Sequence, residues 1–166
     1  MKILLAGLRP GMHEFRFEEL PARWGLENHP NLRAPVHLSV QLEKGATAIY
    51  VRNRIDTVGR FTCDRCLEEF SLPLQDEGRV IFSSDADLVT AGDEELRAYD
   101  PEAHEIDLSE DIRDLLVLAI PAKLLCREDC QGLCAGCGAN LNTESCRCAA
   151  TRMDPRWQPL QKLLNH

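Results

Sequence analysis

Pro35-Val-His-Leu-Ser-Val-Gln-Leu-Glu-Lys-Gly45 sets Val36, Leu38, Val40 and Leu42 on one side of an extended chain and His37, Ser39 and Gln41 on the other. Side chains of a strand alternate between faces, so a period of two with one apolar face predicts a half-buried strand, and Lys44-Gly45 marks its closing turn. The next run, Ala46 to Phe61, repeats the pattern, with Ile49, Val51 and Ile55 on one side and Tyr50, Arg52 and Arg54 on the other. Beyond the corner Cys63-Asp-Arg-Cys66, the residues Phe70, Leu72 and Leu74, then Val80 and Phe82, repeat it again. Successive alternating segments joined by short turns predict an antiparallel meander, because parallel neighbours need a crossover of a dozen residues or more.

Working outward, His13 to Leu26 mixes Phe15, Phe17, Leu20, Trp24 and Leu26 with acidic residues and reads as a short strand or edge segment followed by an irregular stretch. Residues 84–105 hold two acidic clusters, Gly92 and Pro101, with little apolar periodicity, and read as a solvated loop. Asp107 is placed to cap the helix that follows, with Glu110 at the third position of a capping box. Its apolar face is Leu108, Ile112, Leu115, Leu116 and Ala119, and Pro121 stops it. That stripe must be buried, and the sheet is the available surface. The expected fold class is α+β: an antiparallel β-meander or partly closed barrel packed with one main helix, plus a small C-terminal Cys-rich zinc knuckle. The expected divisions are a sheet and helix core over 1–125, a Cys-rich metal-binding module over 126–150, and a short C-terminal helix over 151–166 that begins near Pro159.

A chain of 166 residues, 44% apolar and 28% charged, fits one domain or a core with a small appendage, and its composition is neither that of a disordered polymer nor of a coiled coil. The apolar run from Ile3 to Gly7 is too short for a membrane span or a good secretion signal, and no later stretch approaches a span. A reducing cytoplasmic setting is therefore the expectation, and there eight cysteines read as metal ligands before disulfides. In an oxidising compartment the same eight would allow 105 complete pairings, and the sequence would select none.

The formal net charge of −8 is unevenly spread: Asp85 to Asp114 holds twelve acidic and two basic residues, whereas Arg33 to Arg65 holds six basic and three acidic. Bulk charge does not attract this chain to nucleic acid, so any such contact must be local. The candidate RNA-binding patch is Tyr50, Arg52, Arg54 and Arg60, with Arg65 inside the cysteine corner; a charged sheet face turned to water has the same composition.

Cys134-Ala-Gly-Cys137-Gly is the sharpest local signal, because two thiolates separated by two residues can turn toward one cation while glycine lets the backbone aim amides at the sulfurs. Cys146-Arg-Cys148 follows closely enough to complete one set, Cys134, Cys137, Cys146 and Cys148, although its one-residue gap is tighter than usual zinc spacing. Cys63 and Cys66 then need Cys126 and Cys130, about 60 residues later, which would fasten the helix region to the strand corner. Spacing does not fix this partition, since eight ligands divide into two sets of four in 35 ways. All-sulfur tetrahedral sites favour one or two structural Zn²⁺, with an iron–sulfur cluster as the competitor. Four protein ligands leave no open position for water, which argues against hydrolysis or deamination. Cys63 and Cys66 also admit a redox-dithiol reading, though a low-pKa attacking thiol usually sits at a helix N-terminus rather than a strand corner. His13, His29, His37 and His104 are scattered without ligand spacing, Asp56 and Asp64 form no visible acid/base pair, and no phosphate-cradling glycine loop is present.

Arg60-Phe-Thr-Cys63-Asp-Arg-Cys66-Leu67, then Leu125-Cys-Arg-Glu-Asp-Cys130-Gln-Gly-Leu-Cys134-Ala-Gly-Cys137-Gly-Ala-Asn140-Leu-Asn142 and Asp154-Pro155-Arg156, together resemble the bacterial YceD-like family over about residues 33–166. Ala135 stands where such turns often carry proline, and Pro159 where a helix former is common; neither removes a candidate ligand. The resemblance implies a cytoplasmic, non-enzymatic protein required for normal accumulation of large-subunit ribosomal RNA, of a family whose genes often adjoin one encoding a large-subunit ribosomal protein. It implies rRNA or a large-subunit ribosomal protein as partner, and no membrane or small-molecule substrate. Two other readings stay open: an acidic adaptor whose residues 85–114 meet a basic ribosomal protein, and a thiol oxidoreductase using Cys63 and Cys66.

Overall fold

The computed structural model describes residues 1–84, 96–100, 102 and 104–148, so the expected terminal helix over 151–166 lies outside the described residues. Strands β1 (Lys2–Leu4), β2 (Gly11–Glu19), β3 (Val36–Lys44), β4 (Ala48–Thr62), β5 (Glu69–Ser83), β6 (Leu96–Ala98) and β7 (Glu105–Asp107) precede helix α1 (Ser109–Leu118). A single 3₁₀ turn, Pro21–Trp24, follows β2. The main sheet has the order β2-β3-β4-β5-β6 and is open, with β2 and β6 at its edges; β1 and β7 form a separate antiparallel pair.

The alternation that predicts the meander becomes its pairing: β2, β3, β4 and β5 are antiparallel neighbours in chain order. Val36, Leu38, Val40 and Leu42 are all 1% exposed or less, as the period of two requires, and each such burial contributes roughly 1.5–3 kcal/mol. The edge segment near His13 is a nine-residue strand whose outward Glu14, Arg16 and Glu18 discourage pairing with another chain.

The solvated-loop reading of 84–105 is corrected at both described ends. Leu96–Ala98 pairs with β5 in parallel, after a connection long enough for the crossover that parallel pairing demands, and Glu105–Asp107 pairs with β1. Residues 85–95, with the acidic run Asp93 to Glu95, lie outside the described residues.

Helix α1 lies on the buried face of the sheet, with Leu108, Ile112 and Leu116 fully buried and Leu115 partly so. Gly78 makes room for it, since a Cβ there would stand 2.9 Å from a Leu115 methyl. The expected capping box does not form. Leu108 occupies the N-cap position, and Asp107 Oδ1 accepts from the Ser109 amide at 2.8 Å and from the Met1 amino group at 2.8 Å. Glu110 turns instead toward Arg97, 3.7 Å away.

Asn53, Thr57 and Ser83 are the buried polar residues among those described. Asn53 points inward from β4 at 0% exposure, and neither polar atom of its side chain has a hydrogen-bond partner among the described residues. No helix among the described residues is long and apolar enough to cross a membrane.

Candidate metal centres and the outer sheet face

The turn joining β4 to β5 is a tight corner in which the Cys63 amide donates to Glu68 O at 2.9 Å and the Leu67 amide to Cys63 O at 3.0 Å. Leu67 takes a left-handed φ of 62°, a conformation a non-glycine residue adopts only where its surroundings fix it. Closing the turn this way puts both sulfurs of Cys63 and Cys66 on its inner side. Cys126 and Cys130 are held against it by the Asp64 amide donating to Leu124 O at 2.8 Å, by Arg65 Nη1 donating to Cys130 O at 2.8 Å, and by the Leu133 amide donating to Arg65 O at 3.0 Å. The sulfurs of Cys63 and Cys130 stand 3.8 Å apart, and those of Cys66 and Cys126 3.6 Å apart.

Cys134, Cys137, Cys146 and Cys148 gather on a second turn. There the Gly138 amide donates to Cys134 O at 2.8 Å and Gly138 takes a left-handed φ of 73°. Cys134 Sγ lies 3.4 Å from Cys146 Sγ and 3.8 Å from Cys148 Sγ. Gly136 is required here, because a Cβ would meet Cys148 Sγ at 2.6 Å.

Within each group of four the sulfurs lie within 4.8 Å of one another, so each cluster could hold a metal ion. A tetrahedron with metal–sulfur bonds of about 2.3 Å has edges of about 3.8 Å, close to the separations observed, whereas a disulfide would need about 2.05 Å. Of the 35 ways to divide the cysteines, the structure brings together Cys63, Cys66, Cys126 and Cys130, and separately Cys134, Cys137, Cys146 and Cys148. The first group is largely buried and the second largely exposed.

Electrostatics suits a cation at both. Burial pushes the Cys63 thiol up, but amides of Cys66, Cys126 and Arg65 directed at its sulfur outweigh that and bring it to about 6. Amides of Cys137 and Gly136 likewise lower Cys134 to about 6. Once one sulfur in each cluster is anionic, its neighbours resist ionisation: burial and then Cys66 push Cys126 to about 12, and Cys137, Cys134 and Cys146 push Cys148 to about 12. Four thiolates at these distances require a positive charge among them.

Sequence reasoning gave Asn140 and Asn142 no chemical role, and the structure supplies one. Asn142 Nδ2 donates to Cys130 Sγ at 3.3 Å and to Asn140 Oδ1 at 2.8 Å. Its Oδ1 accepts from the Gln131 amide at 2.8 Å and from Arg127 Nη2 at 2.7 Å. Asn140 Nδ2 reaches the strand corner itself, donating to Glu68 Oε1 at 2.9 Å. Only the Asn-Leu-Asn alternation, which sets both amides on one side, hinted at a shared task.

The basic patch is divided. Tyr50, Arg52 and Arg54 alternate outward along β4 on the face opposite α1. Arg79, which the sequence reading did not include, stands directly across from Arg52, and Glu77 across from Arg54. Arg52 Nε is 3.3 Å from Glu77 Oε1, whereas Arg54 and Arg79 have no ion-pair partner among the described residues. Tyr50, Arg52 and Arg79 line a cleft of about 420 Å³ with Met12 and Ile81. Arg60 lies farther along β4 and lines a separate cleft of about 650 Å³ with Arg33. Arg65 is committed to the cysteine corner through its bond to Cys130 O.

Two observations bear on the remaining readings. Cys63 and Cys66, the candidate redox pair, are 0% and 4% exposed. In the described part of the acidic segment, Asp111 is bound to Arg97 at 2.7 Å.

A family model described as "Large ribosomal RNA subunit accumulation protein YceD" matches residues 51–164. A maize protein named as a chloroplastic YCED homolog of that description is 35% identical over 144 residues, covering 70% of this chain and 49% of the relative. Its Arabidopsis thaliana counterpart is 43% identical over 65 residues, covering 39% and 20%. An uncharacterised protein of Mycobacterium tuberculosis is 34% identical over 166 residues, covering 95% of this chain and 77% of the relative. The chain thus spans about half of the maize relative and a fifth of the Arabidopsis one. No solved structure matches.

Proposed function

Because this chain belongs to the YceD family of large ribosomal RNA subunit accumulation proteins, we propose that it is a non-catalytic factor of large-subunit ribosome biogenesis that binds precursor rRNA. The supporting observation is that, among the described residues, the cysteines gather into two groups of four sulfurs, each able to give one ion four protein ligands, while arginines face outward from the sheet. The metal in this reading is Zn²⁺, one per cluster, because the sulfur spacing leaves room for a single ion, whereas an iron–sulfur cluster would hold its thiolates farther apart. Bound there, Zn²⁺ would supply structure by fixing the strand corner and the Cys-rich turn.

RNA would meet Tyr50, Arg52, Arg54 and Arg79: guanidinium groups on phosphates, and the half-exposed tyrosine ring as a stacking surface for an unpaired base. A cytoplasmic setting, where thiols stay reduced and free to bind metal, is part of the same proposal. Binding of precursor rRNA fragments is measured against salt concentration for the native protein and for a triple variant with Arg52, Arg54 and Arg79 replaced by Gln. On single-stranded RNA each phosphate contact contributes about −0.7 to the slope of log K against log salt, so the variant's slope should be shallower by about 2. An unchanged affinity and slope would remove the RNA role. A nuclease-resistant association with a basic ribosomal protein would replace it with the adaptor reading.

A further inference from the structure

We infer that Asn142 makes the two four-sulfur sites interdependent, holding the buried site through Cys130 from a segment that the exposed site folds. This rests on the reading of both clusters as metal sites.

All four hydrogen-bonding positions of the Asn142 side chain are used, which fixes its orientation. The oxygen must face the Gln131 N–H and the Arg127 guanidinium, so the NH₂ group must face Asn140 Oδ1 and the Cys130 sulfur. A donor directed at one ligand sulfur spreads its negative charge and fixes its direction, as outer-shell partners of metal ligands do.

Asn142 does not belong to the buried site by chain position. It follows a hairpin in which Leu133 pairs with Asn140, the Cys134 amide donates to Ala139 O at 2.8 Å, and the Leu141 amide donates to Gly132 O at 2.9 Å. Cys134 and Cys137 lie inside that hairpin, so closing the exposed site around a cation fixes the path from Leu133 to Asn142. The same closure presents Asn140 to Glu68 on the strand corner. Ala139 is the one apolar residue between Leu133 and Asn142 that is buried, so little else holds the hairpin shut. Linkage is reciprocal: what the exposed site gives the buried one, the buried one returns.

The test uses the full chain loaded with Co²⁺ or Zn²⁺ under reducing conditions. Chelator competition measures the affinity of the buried site, and the sulfur-to-cobalt charge-transfer band reports on the sulfur. Asn142→Ala should weaken the buried site about 10- to 100-fold, the range seen for lost outer-shell partners. It should also move the charge-transfer band to lower energy, because an unbonded thiolate is a stronger donor; a merely structural loss would not move that band. Asn142→Asp, which keeps both acceptor contacts but sets a carboxylate against the sulfur, should weaken the site at least as much. Replacing Cys134 and Cys137 by Ser should weaken the buried site by a similar factor in the native background and by much less in the Asn142→Ala background. Native affinity and an unmoved band in Asn142→Ala would overturn the role of Asn142. Full additivity of the two changes would overturn the coupling. Uptake of no metal by the native chain would instead overturn the metal reading beneath it.

Discussion

Removing metal from the native protein should unfold the Cys-rich segment while leaving the sheet folded. Among the described residues, the buried apolar cluster of the sheet and helix runs from Met1 to Leu116. Past Leu124 the buried side chains among the described residues are those of Cys130 and Ala139, with Leu133 at 36% exposure. Ordering a residue costs about 1–2 kcal/mol of backbone entropy, so two such side chains cannot hold the stretch from Cys126 to Cys148. Structural zinc sites supply roughly 10–16 kcal/mol each in small folding units, which is the scale required. Hydrogen exchange with a chelator present separates the two parts. Amides of Leu133, Cys134, Leu141 and Asn142, all hydrogen-bonded in the structure, should exchange near their unprotected rates within seconds to minutes, where metal had slowed them by several orders of magnitude. Amides of β3 and β4 should keep the protection set by global unfolding. Cys63 and Asp64 should fall between, since the Cys63 amide is closed within the corner and the Asp64 amide donates to Leu124 O. Chelated protein that retains native protection across 133–142 would refute the claim that sulfur coordination holds this segment.

Gly136→Ala sets a Cβ 2.6 Å from Cys148 Sγ, so native mass spectrometry should find one metal ion in place of two; two would show that the turn opens without losing a ligand. Asn53→Val removes a buried amide whose two polar atoms lack partners among the described residues, and should raise the urea stability by about 1–3 kcal/mol; a lower midpoint at unchanged slope would show that the amide is needed. Metal retention should fall with pH. The thiols of Cys126 and Cys148, pushed up to about 12, must lose protons when metal enters, and below about 6 even Cys63 and Cys134 hold theirs, so a dye-based release assay should show loss on acidification and recovery on return to neutral. Release independent of pH between about 8 and 5 would contradict that thiolate chemistry.

The parts of the fold legible in the sequence are those where one residue type decides one face. Val36 to Leu42 and Ile49 to Phe61 announce strands because a one-residue slip would turn every apolar side chain to water. Strands β6 and β7 have three residues each, too few for a period, and are fixed by partners far away in the chain. Asn53 follows the alternation in position but defies it in chemistry, so only the packed sheet identifies it as buried. The cysteine pairs are visible because a metal imposes short spacings; their division into two sets depends on the β4–β5 corner meeting Cys126 and Cys130. Arg79 joins the outer arginines through the register of β4 and β5, which no local pattern prints. Asn142 becomes intelligible only once the hairpin from Leu133 to Asn140 returns the chain to Cys130.

The charge distribution bears directly on how an acidic protein could hold RNA. Two ions each bound by four thiolates would take the formal net charge from −8 to −12, so attraction at long range is excluded. The outer face is itself mixed, with Glu43 and Glu77 among its arginines, but the acidic residues of α1 lie across the sheet from it. Helix α1, with Glu110, Asp111 and Asp114, packs on the buried face, while Tyr50, Arg52, Arg54 and Arg79 project from the other. Packed layers lie about 10 Å apart, slightly more than the screening length of about 8 Å at physiological salt. The acidic layer therefore weakens the arginine face far less at physiological salt than in dilute buffer. Two effects then oppose each other: raising salt screens the repulsion from α1, and it also reduces the gain from counterion release at the phosphates. Below about 0.1 M the screening length exceeds the layer spacing and repulsion gains, so RNA affinity should rise less steeply on dilution than the arginine count alone dictates. Neutralising Glu110 and Asp114 on α1 should steepen that low-salt limb while leaving affinity near 0.15 M almost unchanged. An equal gain at both salt concentrations would show that the sheet does not separate the two charge layers.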